Sequence, residues 1–396
     1  MTNVVVVEAL RTPFGNFGGV LKDLTLPELG AKVLRSAIER CHLSPQDVEE
    51  IALGVNFPGA DRSIARQAML QAGIPEEKVA YTVDRACCSS MAAINLIARA
   101  IRCGDIHIGV AGGSENLSQV PFFLPQARWG NRLGDFTVKD QLVISCPHTG
   151  VPRAVQAGNE AMEYGIDREQ QDRWALRSHQ KYFEALDAGK FTDEMIPVSV
   201  HQKEGVVSIE QDEPARRDTS LEKLARLKTV YNSPTVTPGN APGLNTGASA
   251  MVLMGEQEAQ ARKLPPLARY VAGALVSGHP HKLASIPAVA AQAALSKAGL
   301  KLNQIDLLEI NEAFAAMPLV STHVLGCGDP TQIEALRART NVNGGAIAIG
   351  HPTGATAARL VMTLAYELRR RGKRYGLATL CGGIGEGEAV IIEVGQ

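Results

Sequence analysis

The residues best suited to chemistry lie in four widely separated segments of this chain. Val83-Asp84-Arg85-Ala86-Cys87-Cys88-Ser89-Ser90-Met91 follows a short apolar run and places a thiol where a helix is expected over residues 91–102. A helix N-terminus carries partial positive charge, which predicts a lowered pKa and a nucleophilic thiolate at Cys87. Asn341-Val-Asn-Gly-Gly-Ala-Ile-Ala-Ile-Gly-His351-Pro-Thr-Gly-Ala delivers one histidine to the start of a second helix. Apolar residues recur there with helical spacing at Ala358, Leu360, Val361, Leu364 and Leu368. The glycines allow close approach of the backbone to a ligand. A histidine beside free N–H groups can handle protons and a developing negative charge. Asn311-Glu312-Ala313-Phe314 ends a strand-like run over 305–310. Leu380-Cys381-Gly382-Gly383-Ile384-Gly385-Glu386-Gly387 puts a second thiol on a glycine-rich turn.

The elements that must position these residues read as a weak internal repeat. A helix-like run over 29–40 leads through an acidic turn into a strand near Ile51, and a second helix leads through residues 300–310 in the same order. Cys87-Cys88-Ser89-Ser90 aligns with His351-Pro352-Thr353-Gly354, and Ala111-Gly112-Gly113 with Cys381-Gly382-Gly383. Residues 250–254 align with 389–393. Two copies of one α/β unit would set Cys87 and His351 at equivalent helix N-termini facing one cleft. Between the halves lies a charged excess segment, roughly 117–245, in which Thr219 or Ser220 is the expected cap of a helix starting near Leu221.

Composition excludes several classes of function. With 396 residues, 45% hydrophobic and 20% charged, the chain is long enough for more than one core. The net charge of 40 − 41 = −1 gives no sign of a nucleic-acid or membrane-surface binder. Seven cysteines without CxxC spacing or a Cys/His cluster suggest no metal, and imply reduced thiols in the cytoplasm. No signal peptide, transmembrane run or peroxisomal address is legible.

Cys87, the Asn311-Glu-Ala-Phe segment, His351 and Cys381, in this order and with the Glu8-Ala-Leu-Arg-Thr-Pro-Phe-Gly15 opening, resemble the thiolase family over nearly the whole chain. The resemblance implies an α/β, five-layered α-β-α-β-α sandwich of two similar halves. Residues 1–118, completed by 246–262, would form one half and 263–396 the other. Residues 119–245 would form a loop domain that covers the site and binds coenzyme A. It also implies reversible transfer of an acyl group through a cysteine thioester, by condensation of two acetyl-CoA or by cleavage of a 3-ketoacyl-CoA with coenzyme A. Cys87 would be the nucleophile, His351 its base and Cys381 the carrier of the α proton. The N–H groups of Cys87 and Gly383 would form one oxyanion hole, with His351 and a water held by Asn311 forming the other. Arg216 and His148 are the expected coenzyme A contacts. Acyl-CoA and coenzyme A are thus substrates or partners, no separate cofactor is expected, and a homodimer or homotetramer serving fatty acid metabolism is implied.

Two other readings compete. A decarboxylating ketoacyl synthase pairs its cysteine with two histidines, whereas Cys381 stands here in place of the second. A non-catalytic acyl-CoA or lipid binding protein would be expected to lose a catalytic group. Several positions depart from the family pattern: Asp84 for asparagine, Cys88 and Ser90 for glycine, Gly382 for a bulkier residue and Ile384 for glycine. Thr149, Pro242, Thr246 and a shortened 140–150 segment also depart, and all of these surround the acyl and pantetheine tunnel in the family.

Overall fold

The structure, a computed structural model, describes residues 2–142, 145–203 and 205–395. The first half contains strands β1 (Val4–Arg11), β2 (Gly15–Asn16), β3 (Glu50–Gly54), β4 (Val79–Val83) and β5 (Ile108–Asn116) and helices α1 (Leu26–Arg40), α2 (Ile64–Gln71) and α3 (Ser89–Cys103). The inserted region holds β6 (Phe122–Phe123), β7 (Lys139–Asp140), α4 (Arg153–Glu163), α5 (Arg168–Asp187), β8 (Val198–Gln202), β9 (Gly205–Ile209) and α6 (Leu221–Ala225). Next, β10 (Asn245–Gly255) and α7 (Glu256–Ala261) return to the first half. The second half comprises β11 (Ala268–Ser277), α8 (Ile286–Ala298), β12 (Leu307–Ile310), α9 (Ala316–Leu325), α10 (Pro330–Ala338), α11 (Ala346–Ile349), α12 (Thr353–Arg370), β13 (Tyr375–Cys381) and β14 (Glu386–Glu393).

Local sequence explains where these elements start and stop. Thr25 and Glu28 form a reciprocal capping box at α1, with Pro27 in its first turn, and Leu29, Val33, Leu34, Ala37 and Ile38 form the buried face. Ser220 caps α6 by accepting from the Lys223 N–H, so the cap falls on Ser220 rather than Thr219. Helix α3 ends at Gly104 and α8 at Gly299, both left-handed.

The strand order β12-β13-β14-β11-β1-β10-β5-β3-β4 makes the repeat visible. In the first half β3 pairs in parallel with β4 and β5, and β5 pairs antiparallel with β10. In the second half β12 pairs in parallel with β13, β13 pairs antiparallel with β14, and Leu308 bridges in parallel to Thr340 where a β4 equivalent would lie. The halves meet at β1 and β11, through Val4↔Tyr270, Val5↔Arg269 and Val6↔Ala268. Helices α1 and α2 cover the first half on one side, and α8 covers the second. Helices α3 and α12 pack on each other and on strands of both halves, as the middle layer. The core around them includes Met91, Ile94, Ile97, Leu360, Val361 and Leu364. Residues 86–103 are long and apolar enough to cross a bilayer, but their position in the middle layer, packed against α12 and strands of both halves, accounts for that apolarity.

The insertion is fastened to both halves. Arg11 at the end of β1 is fully buried and donates to Glu194 and, through both terminal nitrogens, to Asp212. Ala154, Ala157, Ala161 and Trp174 of α4 and α5 share a core with Met317, Leu319 and Val320 of α9 and with Cys381.

Candidate functional site

Cys87 and His351 each stand two residues before the first residue of a middle-layer helix, α3 and α12 respectively. The two helix starts rest on the ends of β3 and β5. Ser90 accepts from the Ala358 N–H, and a Cβ on Gly354 would meet Gly54 O at 2.7 Å and Ser114 O at 2.9 Å. Glu115 at the end of β5 accepts from Thr353 and from the Gly354 N–H, and its charge also reaches Cys87.

The loop carrying His351 is held from beneath by Glu312. This fully buried carboxylate accepts from Trp174, Ser178, Asn341 and the Ile347 N–H. A Cβ on Gly345 would come within 2.5 Å of its oxygens, so glycine is required by close approach. Gly350 has φ +107°, a backbone shape that suits glycine, immediately before the histidine. The small residues here therefore serve contacts within the protein, where the sequence suggested approach to a ligand.

The imidazole is oriented at both nitrogens. Thr356 donates its hydroxyl proton to Pro352 O at 2.8 Å, so at 2.7 Å its oxygen accepts from His351 Nδ1. Nε2 is then a bare acceptor, which the Asn311 amide faces at 3.3 Å. Burial, with a smaller push from Arg359, lowers the His351 pKa to about 3 and keeps the ring neutral. Asn245 fixes the backbone by accepting from the His351 N–H at 2.8 Å. Asn311 Oδ1 is buried without a hydrogen-bond partner among the described residues.

Cys87 corrects one expectation. Its pKa is raised, not lowered: burial is the largest cause and the Cys381 sulfur adds to it, while Arg153 pulls the other way. Desolvation of a thiolate here outweighs the helix-terminal dipole. Cys381 ends β13 and is raised to about 11, again chiefly by burial, with opposing help from Arg153 and from the Gly383 N–H directed at its sulfur. Both thiols are thus protonated at rest, and the imidazole at the matching helix start is neutral.

Cys88 is fully buried. A Cβ on Gly382 would lie 3.0 Å from its sulfur, so the larger residue at 88 and the smaller one at 382 fill one space. These two departures from the family pattern compensate each other. Ile384 sits at φ +45° in the turn after Cys381, an unfavourable backbone for a β-branched side chain.

The two expected coenzyme A contacts lie in the inserted region. His148 is exposed in a turn closed by Cys146 and Val151. Arg216 is exposed before α6, and its backbone N–H donates to His179. Thr246 is buried in β10 and donates to Asn116. Val143 and Ile144, within the shortened 140–150 segment, lie outside the described residues. Thr356, Asn245 and Arg153 were not picked out from the sequence. Thr356, one helical turn beyond His351, and Arg153, shortly after His148, carried spacing signals that could have flagged them.

Two repeated α/β halves, with paired thiols and an oriented neutral imidazole at their shared middle layer, define a site suited to thiol-based acyl transfer. Comparison with known proteins agrees. Residues 4–257 match "Thiolase, N-terminal domain" and residues 264–394 match "Thiolase, C-terminal domain". The chain is 40% identical to an acetyl-CoA acetyltransferase of Syntrophomonas wolfei, over 98% of each chain. It is 42% identical to one from Escherichia coli K12, over 99% of each. Crystal structures of Bacillus anthracis acetyl-CoA acetyltransferase (TM-score 0.94, 39% identity, 99% of each chain) and human mitochondrial 3-ketoacyl-CoA thiolase (TM-score 0.95, 38% identity, 100% of this chain and 99% of that one) share the fold. The latter enzyme is also known in complex with CoA, with a TM-score of 0.94. This chain belongs to the thiolase family and is an acyltransferase.

Proposed function

We propose that this enzyme moves an acyl group between coenzyme A thioesters through Cys87, either condensing two acetyl-CoA or cleaving a 3-ketoacyl-CoA. The observation that carries the residue assignment is that two protonated thiols lie near each other and that a histidine whose Nε2 carries no proton stands at the position matching Cys87 in the other half, the Asn311 amide facing that nitrogen. His351 Nε2 takes the Cys87 proton as the sulfur attacks the thioester carbonyl. The resulting imidazolium N–H, with a water held by the unpartnered Asn311 Oδ1, faces one oxyanion. Cys381 gives its proton to the departing coenzyme A sulfur and so becomes the thiolate that removes an α proton from the second acetyl group. The enolate attacks the Cys87 thioester, with the Cys87 and Gly383 N–H groups at the other oxyanion. Cys87 leaves and regains its proton from His351. Run backwards, the protonated Cys381 supplies the proton that the departing carbanion needs.

In this reading Arg216 contacts the coenzyme A phosphates at the lip of the inserted region and His148 lies along the pantetheine arm. A homo-oligomer is supported by β4, which among the described residues pairs only with β3, and by the exposed apolar side chains of Trp129 (87%) and Leu133 (91%). Seven free cysteines fit a reducing, cytoplasmic setting. Peptide mapping after incubation with acetyl-CoA tests the scheme. It should find acetyl on Cys87 in the wild type and in Cys381→Ala, while Cys381→Ala loses condensation and thiolysis. Acetyl on Cys88 alone, or condensation by Cys381→Ala at the wild-type rate, would overturn it.

A further inference from the structure

Arg153 brings a positive charge to the two thiols, and among the described residues no carboxylate forms a salt bridge with it. It is the first residue of α4, where the helix dipole disfavours a cation. Its guanidinium lies over the turn after Cys381: a Cβ on Gly383 would be 3.1 Å from Nη2 and 3.4 Å from Cζ. Its side-chain hydrogen bond among the described residues is to the neutral Gln156, at 3.2 Å. Glu160, further along the same helix, is committed to the N–H groups of residues 283–285 and to the Ser285 hydroxyl. The Arg153 charge favours the thiolate form of both Cys87 and Cys381. The scheme above assigns no proton and no oxyanion to it.

A partly buried guanidinium with unused donors at the reacting centre matches an anionic group on the substrate. We propose that Arg153 selects acyl thioesters whose acyl chain ends in a carboxylate, and that Gln156 holds the guanidinium in place to receive it. This inference rests on the acyl-transfer reading of the site. Thiolysis of such a substrate breaks the C2–C3 bond. The carboxylated acyl group passes to Cys87 and then to coenzyme A, while C2 takes a proton from Cys381. The carboxylate itself undergoes no reaction.

The test compares thiolysis of 3-oxoadipyl-CoA with that of 3-oxohexanoyl-CoA, which has the same number of chain carbons and no terminal charge. The readout is the ratio of their kcat/KM values, which does not depend on how much of a variant is folded. The wild type should favour the carboxylated substrate. Arg153→Met should reduce the ratio about a hundredfold, the loss expected when a charged hydrogen-bonded pair is removed from a desolvated site. Arg153→Lys should keep part of the preference. A wild-type ratio at or below one would overturn the proposal. So would an unchanged ratio in Arg153→Met with both rates depressed, because Arg153 would then act only on the thiols. Cleavage of neither substrate by the wild type would overturn the acyl-transfer reading along with it, a pattern distinct from a lost preference.

Discussion

Replacing Thr356 by valine should slow acylation of Cys87 without displacing His351. Threonine and valine have nearly the same shape, so the fully buried site stays filled. What disappears is the acceptor 2.7 Å from Nδ1. Pro352 O keeps its bonds from the Ala355 and Thr356 N–H groups, so the helix start remains satisfied. The imidazole is only 6% exposed, and a buried N–H without an acceptor costs about 1–3 kcal/mol. The ring can avoid that cost by carrying its proton on Nε2, but Nε2 is then no longer the base. Acylation must restore the Nδ1–H form that the resting ring has escaped, so the cost adds to the barrier and the rate should fall about five- to 150-fold at 1.36 kcal/mol per tenfold. Rapid quench from acetyl-CoA, with mass analysis of Cys87, measures this step directly. Thr356→Ser restores the acceptor and should recover most of the rate. Acylation of Thr356→Val within about twofold of wild type would refute the tautomer argument, given the smallest loss expected for a buried unsatisfied donor.

Three further outcomes follow from other parts of the molecule. Arg11→Met leaves Glu194 and Asp212 buried without their cation, and should lower stability by about 3–5 kcal/mol in urea denaturation; a loss below about 1 kcal/mol would show that the triad is replaceable. Burial raises Glu388 from its ordinary 4.5 to about 7, against pulls from Asn95 and Arg85. Between those pH values the folded state holds a proton that the unfolded state releases, so this residue's contribution falls as pH rises. Wild type should therefore lose about 3 kcal/mol relative to Glu388→Gln between pH 4 and pH 8, and parallel stability curves would contradict the assignment. Ile384→Gly removes a β-branched residue from φ +45° with its side chain already 40% exposed, and should raise stability by about 1 kcal/mol; a lower melting temperature would mean the side chain packs more than its exposure implies.

The local signals that proved readable are those that short stretches of chain decide for themselves. The Thr25/Glu28 capping box and the apolar periods of α1 and α12 depend on neighbours within a few residues, so their order and type are written in the sequence. The repeat was legible because both halves need the same helix–turn–strand pattern, and it correctly set Cys87 and His351 before matched helices. The chemistry of the thiols was not legible in the same way. A helix N-terminus suggests a lowered pKa, but Cys87 precedes a helix packed against strands of both halves and Cys381 ends a buried strand, and desolvation raises both.

By itself, then, the sequence determined the candidate chemical residues, their order and the helices and strands that would carry them, because residue type and short-range spacing are one-dimensional properties. The tertiary structure decided what surrounds each of those residues. Thr356 selects the imidazole tautomer, Glu312 ties the Asn341 loop to α5, and Cys88 fills the space left at Gly382. It also decided that Arg153, drawn from the insertion, lies over a turn more than two hundred residues later in the chain. Burial, hydrogen-bond partners and electric field are sums over neighbours that only folding brings together, so no spacing rule along the chain contains them.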